Sequence, residues 1–138
     1  MNYLLWALLA MLGYTFVAPL LKVALGDMPS NVVLLISNSM LVLSVGIVVA
    51  VTESEALTYF SHPKIGYVVA GGVFLSVGIY AYYQALDTGP VSVVVPIFAM
   101  FIVTSSVVGI LFLDETFSIQ KGVGIALGMV AIYLVASG

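Results

Sequence analysis

The stretch that decides the fold is IGYVVAGGVFLSVGIYAYYQAL (residues 65–86), DTGP (87–90) and VSVVVPIFAMFIVTSSVVGILFL (91–113). Two uncharged runs flank one tight turn. An α-helix rises 1.5 Å per residue, so about 20 apolar residues cross roughly 30 Å of hydrocarbon. Each run is long enough to do so. Gly89 suits the end of one helix and Pro90 the start of the next. The reading is an antiparallel hairpin of transmembrane helices. Buried β-strands of a soluble protein are also rich in Val and Ile. Uncharged runs this long, however, leave no polar face to meet water.

The same ruler applies outward. A first span covers Tyr3 to Leu21 and is stopped by Lys22, Asp27 and Pro29. A second covers Val32 to Thr52 and is stopped by Glu53 and Glu55. The hairpin supplies spans three (65–86) and four (91–113). A fifth covers Ser118 to Ala136, with Lys121 placed to snorkel to the interface. The predicted fold class is all-α: one polytopic membrane domain over residues 1–138, with five transmembrane helices and no soluble domain. The N-terminus lacks the basic region and small-residue cleavage site of a secretory signal, so the first span is expected to be retained. The longest connector, Glu53 to Lys64, contains Ser61-His62-Pro63 and is expected at the membrane interface.

Composition agrees. Of 138 residues, 63% are hydrophobic and 7% charged, against about 25% charged in soluble domains. The net charge of -3 is spread out, so no basic patch points to nucleic acid. Cysteine is absent, which removes disulfides and thiol chemistry. One histidine, His62, has no ligand partners at metal spacing. No cofactor, no metal and no enzymatic activity are expected. Asp114-Glu115 is a carboxylate pair, read as a solvated helix end. No carboxylate lies deep in a span, so proton coupling through a buried acid is not expected.

The polar residues gather. With five spans, the ends of spans one and three share a side with the starts of spans two and four. Thr15, Pro19 and Lys22 meet there with Ser37, Asn38, Tyr80, Tyr83, Gln84, Ser92 and Pro96. Ser76, Tyr80, Tyr83 and Gln84 follow i, i+4, i+7, i+8 spacing, one helical stripe. Pro19 and Pro96 cannot donate to the carbonyls of Thr15 and Ser92. A freed carbonyl in hydrocarbon needs a partner or a wet cavity. As a group these residues read as a vestibule or binding pocket, whereas any single Ser or Thr among them reads as a hydrogen bond that joins helices. Tyr82 reads as an interface tyrosine. Ser105-xxx-Gly109 and Gly124-xxx-Gly128 have small-xxx-small spacing for close helix packing, within the chain or across a dimer.

Lys64, Lys121 and the terminal amine fall on one side and Lys22 on the other. The positive-inside rule favours a cytoplasmic N-terminus by about one lysine. Insertion in both orientations is therefore open.

Three segments carry a family resemblance: Tyr83-Gln84-Ala85-Leu86-Asp87-Thr88-Gly89-Pro90-Val91-Ser92 with Pro96, Gly109 to Glu115, and Gln120 to Gly124. The chain resembles the EamA domain of the drug/metabolite transporter superfamily. The shared marks are an A-L-x-x-G-P turn, a proline in the next helix, an L-G-E-like end and a Gln-Gly opening of the last helix. Asp114 stands where Gly is usual. The resemblance implies a helical metabolite carrier. Most members are similar to two five-helix units in tandem with inverted topology, so this single unit implies a homodimer, parallel or antiparallel, or a paralogous partner subunit.

The expected function is transport of a small organic or drug-like solute across the cell (plasma or inner) membrane by alternating access. Asn38, Tyr80, Tyr83, Gln84 and Ser92 are the candidate solute contacts. Pro19 and Pro96 are candidate hinges, and Gly89 and Pro90 fix the hairpin. Rival readings are a non-transporting membrane subunit of a larger assembly, or a component that flips lipids or lipid-linked sugars.

Overall fold

The computed structural model describes residues 2–113 and 116–138. The Asp114-Glu115 pair lies outside the described residues. Among the described residues five long helices follow in order: α1 (Tyr3–Leu25), α2 (Ser30–Thr52), α3 (Ile65–Thr88), α4 (Val91–Phe112) and α5 (Ile119–Ser137). All five are long and apolar enough to cross a membrane. No strand occurs among the described residues. The connector between α2 and α3 forms a short 3₁₀ helix, Ala56–Ser61.

Local chemistry explains the helix ends. Pro29 and Pro90 sit at the caps of α2 and α4, where a missing N–H costs nothing because no helical acceptor precedes it. Ser118 caps α5, its hydroxyl accepting the Lys121 N–H at 3.2 Å. It lies just before the helix and satisfies one of the donors that a helix start leaves orphaned. Pro19 and Pro96 lie inside α1 and α4.

Two helices run further than expected. α1 continues past Lys22 to Leu25, and α3 continues through Asp87 to Thr88. Only Gly89 and Pro90 then separate α3 from α4. The two extensions share a cause, a contact between Lys22 and the end of α3.

Two compact units make up the chain: residues 20–87, and residues 1–19 with 88–138. In the first, Leu25, Ser30, Val33, Tyr82, Tyr83 and Leu86 are buried, Leu86 completely. Tyr82 is therefore a core residue and not the interface tyrosine expected. It packs edge-on against Tyr83, the ring centroids 6.3 Å apart. In the second unit, α4 and α5 bring their backbones close together. Large apolar side chains face outward along every long helix; Tyr67 and Phe74 of α3 are 81% and 79% exposed. Exposed apolar surface on that scale needs hydrocarbon as its solvent.

Candidate functional site

Within the unit of residues 20–87, three polar bridges tie helices together. Lys22, on the last turn of α1, donates from Nζ to the carbonyls of Leu86 at 2.5 Å and Asp87 at 3.1 Å. Both carbonyls belong to the last turn of α3, which has no further turn to supply donors. The ammonium also complements the negative end of the helix dipole. The lysine therefore does not break α1. Its charge is used one helix away, which lets both α1 and α3 extend.

The second bridge is Gln84. Its Nε2 donates to Ser30 Oγ at 3.1 Å and to Asn31 Oδ1 at 3.2 Å, both on the first turn of α2. The third is Tyr83, whose hydroxyl lies 2.7 Å from Ser37 Oγ. Ser37 also reaches its own helix at Val33 O, 2.8 Å away. A serine has one hydroxyl proton. If it goes to Val33, Tyr83 is the donor to Ser37. Tyr83 is buried, so this bond satisfies a hydroxyl that would otherwise be costly.

Beside these bridges an open groove of about 830 Å³ runs between α2 and α3. Small-molecule sites span roughly 300–1,000 Å³. Its polar lining is Asn31, Asn38, Ser39, Ser76 and Tyr80, and its apolar lining includes Leu34, Val42 and Ile79. Asn38 Nδ2 donates to Leu34 O at 2.9 Å, and Ser76 Oγ donates to Gly72 O at 2.8 Å. Each donation leaves the side-chain oxygen's lone pairs for another partner. Tyr80 is half-exposed.

The predicted stripe on α3 is thus shared between two tasks. Ser76 and Tyr80 line the groove with Asn38. Tyr83 and Gln84, one turn further on, carry the bridges. Ser30 and Asn31 are polar contacts that the sequence reading missed, having begun the second span at Val32. Two polar residues directly after Pro29, opposite Gln84 in an antiparallel pair, were the available signal. Ser92, Pro19 and Pro96 belong to the other unit and line neither this groove nor the one described next.

That second groove, of about 620 Å³, lies between α4 and α5 and is lined by all four predicted packing residues, Ser105, Gly109, Gly124 and Gly128. Its hydroxyls turn back on their own helix, Ser105 and Ser106 both donating to Ile102 O. Lys121 at its edge donates to Thr116 O at 2.7 Å. A Cβ at Gly128 would meet Val103 at 3.9 Å, ordinary contact, and one at Gly124 would meet nothing within 4 Å. This groove carries the four small residues at helix-packing spacing.

Among the described residues no group of His, Cys, Asp and Glu could hold a metal ion. A family model described as the EamA-like transporter family matches residues 1–137. No curated protein matches the chain, and no solved structure does.

Proposed function

Because the chain belongs to the EamA-like transporter family and carries five helices able to span a membrane, we propose that it is a multi-pass carrier of a small organic solute with its binding site in the α2–α3 groove. The observation that carries this reading is the groove itself: amide and hydroxyl groups of Asn31, Asn38, Ser39, Ser76 and Tyr80 along an apolar wall, at the size of a small-molecule site. Asn38 and Tyr80 contact the solute. Tyr83 and Gln84 hold α3 against α2 and so set the width of the groove. Pro19 and Pro96 bend α1 and α4 during alternating access, because each removes one backbone hydrogen bond from its helix. Gly89 and Pro90 keep the α3–α4 connection short. The working unit is a dimer in the cell membrane; the near balance of lysines permits both insertions, so an antiparallel pair would make the inverted repeat that many transporter folds carry.

Reconstitution of the chain alone into liposomes tests the reading. Uptake from a pool of labelled small metabolites is expected to be saturable for at least one solute. The double variant Asn38→Leu, Tyr80→Phe is expected to insert normally and lose about tenfold or more of that flux, the equivalent of roughly 1.4 kcal/mol of solute binding. Full flux in the variant removes the groove from the pathway. No flux with the chain alone favours a non-transporting subunit.

A further inference from the structure

The charged groups of the α2–α3 unit are distributed in a way that bears on what the groove accepts. Residues 20–87 contain Lys22, Asp27, Glu53, Glu55, Lys64 and Asp87, and none of them lines the groove. Lys22 is engaged at the end of α3 by the carbonyls of Leu86 and Asp87. Asp27 is exposed in the turn before α2, four residues ahead of the groove residue Asn31, and does not itself line the groove. Glu53 follows the end of α2, about 15 Å along the helix from Leu43, the last α2 residue of the groove. Lys64 precedes α3, about 18 Å from Ser76 by the same rise. Between those ends the wall offers neutral groups only.

An ion placed in such a groove gives up water and gains no counter-charge, and that exchange is unfavourable in a medium of low dielectric. A neutral solute loses less and recovers it. The Asn38 and Ser76 oxygens accept, the Tyr80 hydroxyl donates or accepts, and Leu34, Leu35, Val42, Leu43 and Ile79 cover an apolar body. Leu35, Val42 and Leu43 are each about two-thirds exposed, so the apolar wall is continuous with the lipid-facing surface of α2.

We propose that the α2–α3 groove selects uncharged amphipathic solutes, with a hydroxyl- or amide-bearing edge and an apolar body, over their carboxylate and ammonium counterparts. The proposal rests on the carrier reading above and adds the substrate class. Charge selection here is by omission: the groove contains nothing to neutralise an ion.

The test is equilibrium binding to the full chain in lipid nanodiscs, with two matched probe sets. One set is 4-nitrophenyl glucoside, glucuronide and glucosaminide. The other is indole-3-ethanol, indole-3-acetate and tryptamine. In each set the body is kept and the charge is zero, negative or positive. The neutral member is expected to bind about tenfold or more tightly than either ion. Ser39→Asp, which puts a carboxylate on the groove wall, is expected to raise affinity for the ammonium probes about tenfold; Ser39→Asn controls for bulk. Ions that bind as well as the neutral probes, or a Ser39→Asp variant that leaves the order unchanged, overturn the proposed class but leave the carrier reading to the flux assay. No saturable binding in either set overturns the groove as a site for such solutes. If flux then also survives Asn38→Leu, Tyr80→Phe, the carrier's site lies elsewhere.

Discussion

The α4–α5 pair and the α2–α3 pair solve the same problem in opposite ways. In α4–α5, Ser105, Gly109, Gly124 and Gly128 line the seam, and the absence of bulk lets the backbones approach. Attraction there is close-range packing, the main force available between helices in lipid. In α2–α3 the contacts are made by long polar side chains: Gln84 to Ser30 and Asn31, and Tyr83 to Ser37. Such side chains act as struts. They hold helices together at one end while leaving the rest of the interface apart, and the groove occupies that remaining length. Both pairs leave an open groove, about 620 Å³ at α4–α5 and about 830 Å³ at α2–α3. The strut-held interface can also reopen, because each strut is worth little in a membrane, about 0.6 kcal/mol on average.

The comparison can be broken at both pairs. The largest effect is expected at Lys22, which anchors the strut end of its unit. Lys22→Met leaves the Leu86 and Asp87 carbonyls without their ammonium donor and is expected to cost about 2–3 kcal/mol in detergent unfolding; a cost below 0.5 kcal/mol would show that water or lipid replaces it. Next comes the seam. Gly128→Leu forces bulk against Val103 and is expected to destabilise by about 1–3 kcal/mol, whereas Gly124→Ala meets nothing within 4 Å and is expected to stabilise by up to about 1 kcal/mol through helix propensity. If the two glycines respond alike, the seam does not depend on close approach at Gly128. The smallest loss is expected for Gln84→Leu, about 1 kcal/mol, with flux falling more than stability because the groove changes width.

The helices themselves were legible in the sequence. Uncharged runs set α2 and α4 to within two residues at each end, since hydrocarbon thickness is an external ruler, and the fifth span, which contains Lys121, was placed to within one. The end of α1 was not legible. Whether Lys22 stops a helix depends on an acceptor 64 residues away, and no local pattern reports that. The polar stripe on α3 was legible as a stripe, because i+4 and i+7 spacing is geometry within one helix. Its division was not. Tyr80 and Tyr83 lie on nearly the same face, and only the register of α2 decides that one meets a groove and the other meets Ser37. Tyr82 was misread for a similar reason: a tyrosine near a span end fits an interface, and only packing shows it buried.

The groove's role as the solute site can be tested directly by chemical protection. The chain has no cysteine, so single cysteines report without background. Asn38→Cys places a thiol in the α2–α3 groove and Ser105→Cys places one in the α4–α5 seam. Each is labelled with a thiol reagent in proteoliposomes, with and without the solute selected by the flux assay. Slowed labelling at position 38 and unchanged labelling at position 105 is the predicted result. Protection at 105 alone, or at neither position while flux persists, would contradict the assignment of the α2–α3 groove as the solute site.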